Sequence, residues 1–187
     1  FVKHWDKIGV QISRLTNLMN DVLILGRTEA NKMPFNPEPV DLVAFIMRFI
    51  EQNYLSLEDG RTVMLSVEGS RRNVGLDENL FSHILGNAIS NALKYSKGRP
   101  NPEVKVHYEE DSYTITIKDY GIGIPKKEQA NLFESFFRAQ NTSGIEGTGL
   151  GLVIMKQFVK MHQGTIKIES IEGKGTSVII RFPYQLN

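Results

Sequence analysis

Two glycine-rich segments, Asp119-Tyr120-Gly121-Ile122-Gly123-Ile124 and Gly147-Thr148-Gly149-Leu150-Gly151-Leu152, bracket one polar stretch that carries three phenylalanines. Glycines reach backbone conformations closed to other residues and let the main chain approach a ligand closely, so successive N–H groups can turn inward as an anion-binding nest. The second segment runs directly into the apolar helical pattern Leu152-Val-Ile-Met-Lys-Gln-Phe-Val-Lys-Met161. Its N–H groups therefore also stand at the positive end of a helix, where phosphate binds well. A surface turn is the competing explanation for either pair taken alone. Spacing removes two other phosphate-binding designs: no segment fits Gly-x4-Gly-Lys-Ser/Thr, and none fits Gly-x-Gly-x-x-Gly after a strand.

A third element comes earlier. His83, Asn87, Asn91 and Tyr95 recur every four residues along a helix expected from Asp77 to Ser96, whose apolar positions include Leu80, Ile84, Leu85 and Ala88. That spacing stacks the polar groups on one face. Asn is a poor helix former, so two of them in mid-helix call for a compensating role. An amide oxygen is a hard neutral ligand suited to Mg²⁺, which takes one or two protein ligands and leaves its other positions to phosphates and water. A solvated polar face is the alternative.

Taken in order, the Asn-bearing helix, Asp-x-Gly-x-Gly, the Phe-bearing stretch, Gly-Thr-Gly-Leu-Gly-Leu and the final Gly173-Lys-Gly-Thr176 resemble the catalytic and ATP-binding domain of bacterial sensor histidine kinases. The resemblance covers roughly residues 36 to 184. It implies the ATP-binding α/β sandwich shared with type II topoisomerases and heat-shock chaperones: an α+β fold, with a mixed, mostly antiparallel sheet covered on one face by helices.

The resemblance also implies roles. Asn91 becomes the Mg²⁺ ligand, with Asn87 one turn earlier facing the phosphates, and Lys94 reaches a phosphate as a point charge. Tyr95 lines the nucleotide pocket. Asp119 accepts from the adenine amino group, a contact that guanine, with a carbonyl at that ring position, cannot make. Thr176 supports this contact, and Gly121, Gly123 and Ile124 belong to the same segment. Residues 147 to 151 cradle phosphate. Phe133, Phe136 and Phe137 resemble the lid's aromatic box, and Arg138 the cation that approaches the γ-phosphate; packing of a short helix is the competing reading of the phenylalanines. In hydrolysing relatives the residue four before the metal-binding Asn is a Glu acting as general base. Here it is Asn87, and an amide takes no proton at neutral pH, so weak intrinsic hydrolysis is expected.

The first thirty residues form a separate module. Trp5, Ile8, Ile12, Leu15, Met19 and Val22 recur by steps of three and four, and Val10, Leu18 and Leu25 add a second stripe. That is a bundle seam needing a partner helix; packing onto its own domain is the alternative. Gly26, Asn31 and Pro34 are expected to end the helix, and Pro34 to Pro39 to form an extended linker. Residues 1–31 thus resemble the second helix of the kinase dimerisation bundle, and 36–187 the ATP-binding domain. The first bundle helix carries the phosphorylated His in the family, followed by Glu or Asp. None of His4, His83, His107 or His162 has that neighbour, so the acceptor is expected upstream of Phe1. His4 is expected on the bundle surface, and His107 and His162 in structural positions.

Further strands are expected at Arg61 to Glu68, Val104 to Tyr108, Tyr113 to Lys118, Thr165 to Ser170 and Thr176 to Phe182, with a helix from Asp41 to Leu57. The interval from Gly123 to Gly147 exceeds an ordinary connection and suggests a lid. With 187 residues, 41% hydrophobic and 23% charged, the chain suffices for one sizeable domain and an added helix. A net charge of +1 without a basic stripe argues against nucleic acid, and no apolar run spans a membrane. The absence of cysteine removes disulfides, thiolate metal sites and cysteine nucleophiles. The reading implied is a homodimeric kinase core, cytoplasmic whether or not its parent is anchored in the inner membrane, using ATP and Mg²⁺. It would phosphorylate a histidine for relay to a response regulator receiver domain. An ATPase or nucleotide switch of the same fold and a non-enzymatic dimerisation module are the alternatives.

Overall fold

In the computed structural model, residues 2–30, 32–55, 57 and 59–184 are described, without the side chains of 2–8, 10, 13 and 14. Helix α1 (Val2–Glu29) leads into strand β1 (Glu38–Val40), helix α2 (Leu42–Tyr54), strands β2 (Met64–Glu68) and β3 (Val74–Leu76), and helix α3 (Glu78–Tyr95). Strands β4 (Glu103–Tyr108) and β5 (Ser112–Lys118), helix α4 (Gly151–Met161), and strands β6 (Thr165–Ile171) and β7 (Gly175–Pro183) follow.

Five strands form one sheet in the order β2-β4-β5-β7-β6. The β2–β4 pair is parallel and the remaining pairs are antiparallel. Alternation explains the layering. In β4, Val104, Val106 and Tyr108 are buried while Lys105 and His107 are turned to the other face. The inward residues meet Phe81, Ile84, Leu85 and Ile89 of α3 and Ile154, Met155 and Phe158 of α4 in one core. Each fully buried Leu, Ile or Phe contributes about 1.5–3 kcal/mol of transfer free energy. On the outer face, Glu68 pairs with Lys105 at 2.7 Å and His107 at 3.0 Å, exposed contacts of little energetic weight. The fold is thus the expected α+β sandwich with helices on one face.

Capping sets the helix starts. Asp41 accepts from the N–H groups of Val43 and Ala44, and Asp77 from those of Asn79 and Leu80, satisfying donors left free in each first turn. At the far end of α3, Arg61 donates to the carbonyls of Leu93 and Ser96, both at 2.9 Å. Placing a cation on the last carbonyls of a helix satisfies acceptors and opposes the negative end of its dipole.

Several boundaries differ from expectation. The strand expected from Arg61 begins at Met64, because Arg61 is committed to the end of α3. Helix α2 ends at Tyr54 rather than Leu57. Gly26 does not stop α1, which runs to Glu29; the N–H of Ala30 still donates to the Gly26 carbonyl. Part of the expected linker is strand β1, paired antiparallel with β3 in a separate two-stranded sheet. The lid contains no α-helix, only two 3₁₀ turns, Lys126–Asn131 and Gln140–Thr142.

The two apolar stripes of α1 behave differently. Ile12, Leu15 and Met19 are 59%, 67% and 56% exposed, and Val22 is exposed beside them. Leu18 and Leu25 pack against the core of the domain that follows. The competing reading, packing onto its own domain, therefore holds for Leu18 and Leu25. The expectations for His4, Trp5, Ile8, Val10 and Asn31 fall outside the described residues or side chains.

Candidate nucleotide site

A cleft of about 360 Å³ opens between α3, the end of β5, the lid and the start of α4. Asn87, Asn91 and Tyr95 stack along one face of α3 and all line it, as does Lys94. His83, at the same spacing, does not; its ring lies edge-on to Phe158 at 5.6 Å. Its carbonyl instead accepts from Nδ2 of Asn87 at 3.0 Å. That bond turns the Asn87 oxygen toward the N-terminus of α4, so closely that a Cβ on Gly151 would sit 2.6 Å from it.

Asp119 lies just beyond the end of β5 and is 7% exposed. One of its carboxylate oxygens accepts from the N–H of Gly121 at 2.8 Å, leaving the other available to a ligand. Burial raises its pKa above the ordinary carboxylate value, opposed by hydrogen bonds from the backbone of Gly121 and Thr176. Thr176 lines the cleft beside it, its hydroxyl 2.9 Å from that of Ser170. Gly123, at φ 62°, passes so close to Ile171 that a Cβ would meet its carbonyl oxygen at 2.1 Å. The second glycine segment is built the same way: Gly149, at φ 76°, would place a Cβ 2.7 Å from the backbone of Phe136. A side chain at 123 would collide with the end of β6, and one at 149 with the lid.

The cations sit at the Gly147 end. A Cβ on Gly147 would lie 3.4 Å from Nζ of Lys94 and 4.0 Å from Nε of Arg138. Lys94 also lies over the Tyr95 ring, 4.4 Å from its centroid. The Arg138 guanidinium donates to the carbonyls of Thr142 at 3.2 Å, Gly147 at 3.3 Å and Ile145. It thus ties the lid together while facing the cleft. Helix α4 begins at Gly151 with no side-chain cap, and Gly151 and Leu152 of its first turn line the cleft.

The lid contributes unevenly. Phe137 lines the cleft. Phe136 is 61% exposed and held at φ 65°, with its N–H bonded to the Gly149 carbonyl. Phe133 lies outside the lining, under Lys156, whose ammonium is 5.0 Å from the ring centroid. Two further expected residues act from behind. Leu150 is fully buried in the core, and Gly121 shapes Asp119 through its N–H. Gly123, Ile124, Gly147, Thr148, Gly149 and Gly151 all line the cleft.

Among the lining residues that the sequence reading did not place at the site, two come from the N-terminal helix. Asn17 and Asp21, one turn apart on α1, face the cleft, and Oδ2 of Asp21 accepts from the Thr148 hydroxyl at 2.8 Å. Their signal was a polar pair at helical spacing on a face other than the apolar seam.

The cleft combines a buried carboxylate, a glycine-shaped loop at a helix N-terminus and a nearby ammonium, a composition suited to a nucleoside polyphosphate. The profile of the histidine kinase-, DNA gyrase B- and HSP90-like ATPase family matches residues 76–186, and the chain belongs to this family. It carries an ATP-binding catalytic domain of the sensor histidine kinase type. Among the relatives it resembles, it is 36% identical over 179 residues to the sensor histidine kinase WalK of Bacillus subtilis (strain 168), covering 94% of this chain and 29% of that protein. It is 34% identical over 180 residues to the sensor protein kinase WalK of Staphylococcus aureus, covering 94% of this chain and 43% of that one. The chain thus spans less than half the length of either. Among solved structures, the fold superposes on the Acinetobacter baumannii histidine kinase AdeS with a TM-score of 0.78 at 20% identity, covering 97% of this chain and 84% of that one. The mycobacterial sensor histidine kinase MprB matches with a TM-score of 0.62 at 30% identity, covering 79% and 97%.

Proposed function

We propose that this chain is the kinase core of a sensor histidine kinase, which directs the γ-phosphoryl group of ATP to a histidine on a helix outside this sequence. The observation that carries the reading is the pairing of Asp119 with Asn87 in one cleft. Asp119 is a buried carboxylate with one oxygen held by the chain and one left for the adenine amino group. Asn87 occupies the position from which a base would activate water, and its amide is bonded back to its own helix. Binding adenine while withholding a base from water favours transfer over hydrolysis.

The position of the other lining residues supports their roles in this reading. Lys94 offers a compact charge to the phosphates, and the loop from Gly147 to Gly151 offers N–H donors. Arg138 holds the lid over them. Among the described residues no cluster of three His, Cys, Asp or Glu could bind a metal alone. Mg²⁺ suits the site through the Asn91 oxygen with phosphates and water completing its shell, and would supply charge neutralisation. We further assign residues 1–31 to the second helix of a dimerisation bundle, on the exposed row of Ile12, Leu15, Met19 and Val22. A homodimer, a response regulator receiver domain as phosphoryl acceptor and a cytoplasmic setting complete the reading. Among the described residues no helix is long and apolar enough to cross a membrane.

Calorimetry with Mg-ATP and Mg-GTP, followed by assay of released phosphate, tests this reading. It predicts preferential binding of ATP with little release. Equal binding of both nucleotides, or rapid steady turnover, would overturn it.

A further inference from the structure

Helix α1 reaches the nucleotide cleft by a face distinct from its exposed seam. Asn17 and Asp21 line the cleft, while Leu18 and Leu25 seat the same side of the helix on the core. The row of Ile12, Leu15, Met19 and Val22 remains open to a bundle partner. One helix therefore touches both the candidate dimer seam and the phosphate loop.

The contact at the loop is chemically pointed. Oδ2 of Asp21 accepts from the Thr148 hydroxyl at 2.8 Å, and the same hydroxyl lies 3.3 Å from the N–H of Leu150. Thr148 stands between Gly147, beside Lys94, and Gly149. Asp21 and Asp119 are the two carboxylates of the cleft. Asp119 serves the base end by its position beyond β5, which leaves Asp21 as the acidic group at the phosphate end. There it is bonded to Thr148, three residues before the uncapped start of α4 at Gly151, an end of the helix where a negative charge is favoured.

We propose that Asp21 is an internal competitor of the nucleotide phosphates, so that docking of α1 on the glycine loop and binding of ATP oppose each other. The inference rests on the nucleotide reading of the cleft. A carboxylate and a polyphosphate sharing one loop repel across a partly desolvated gap. ATP binding then costs the Asp21–Thr148 contact and frees this face of α1. By linkage, whatever holds α1 on the loop weakens ATP binding by the same factor that ATP weakens docking. The bundle helix thereby gains a route to grade nucleotide occupancy.

The test compares Mg-ATP and adenosine binding to the whole chain and to Asp21→Asn, which keeps an acceptor for Thr148 but removes the charge. The expected result is ATP affinity higher by roughly tenfold with adenosine affinity unchanged. Unchanged or weaker ATP binding by the variant overturns the proposal. Failure of the unaltered chain to bind either ligand would instead sink the nucleotide reading itself. Asp21→Ser serves if the first variant does not fold. Because the sequence has no cysteine, spin labels at Val22→Cys and Lys160→Cys can report the separation of α1 from α4. Mg-ATP should lengthen it in the chain carrying Asp21 and leave it nearly unchanged in the chain that also carries Asp21→Asn; equal response in both contradicts the mechanism.

Discussion

The carbonyl of Tyr95 faces Gly121 so closely that a Cβ at 121 would lie 2.2 Å from its oxygen, and the same carbonyl accepts from the N–H of Ile122 at 3.1 Å. This contact joins the last turn of the Asn-bearing helix to the segment after β5. It fixes the distance between the side chains assigned to metal and phosphate and the carboxylate assigned to adenine.

Gly121→Ala must therefore move backbone. It is expected to lower the unfolding free energy by about 2–4 kcal/mol and to weaken ATP binding beyond what the stability loss alone produces. Gly86→Ala is the matched control within α3, since its Cβ would meet only Phe49 at an ordinary 3.6 Å. That substitution should stabilise the chain by about 0.5–1 kcal/mol. Thermal melts and calorimetry read both.

Asp119→Asn should act on binding and stability in opposite directions. A neutral acceptor replaces a charged one, so ATP affinity should fall about tenfold and the preference over GTP should narrow. In the free protein the raised pKa means that folding disfavours the ionised carboxylate. Stability held at low pH is therefore lost as pH rises through the folded pKa, and removing the charge should raise the melting temperature at neutral pH. A variant that lost both would show that the carboxylate is structural.

His162 gives the fold an acid-sensitive joint. It is fully buried, accepts from the N–H of Asp77 at 3.1 Å through Nε2, and lies 2.8 Å from the Phe158 carbonyl through Nδ1. The first contact requires the neutral ring, and burial lowers its pKa. With a depressed folded pKa, stability is complete above the unfolded value near 6.5 and declines as pH falls below it, by up to about 1.4 kcal/mol per pH unit. Asp77 is the charged group against it and caps α3. Denaturant midpoints between pH 7.5 and 5 should drop for the chain and drop less for His162→Gln.

Asn87→Glu would supply a base at a position that now holds an amide. Steady-state release of phosphate should rise about tenfold or more. No increase would mean that geometry, rather than the missing base, limits hydrolysis.

Much of this architecture was legible because its signals are local. The apolar spacing after Asp41 and Asp77 announced their helices, and the period-two runs in β4 and β5 announced strands. What the sequence withheld was set by long-range contacts. The pairing of β1 with β3 joins two short segments with no pattern of their own, and Arg61 leaves its expected strand to serve carbonyls of Leu93 and Ser96. In the site, spacing of four on α3 was enough to group Asn87, Asn91 and Tyr95. It could not reveal that His83 turns to Phe158, that Phe133 lies away from the cleft or that Asp21 reaches Thr148, because each depends on where another element packs.

The most direct measurement follows the label from γ-labelled ATP, with Mg²⁺, in a mixture of this chain and a separately made peptide bearing the upstream histidine helix. Acid-labile phosphate on the peptide histidine and little free phosphate are expected. Label released only as free phosphate would contradict transfer to histidine.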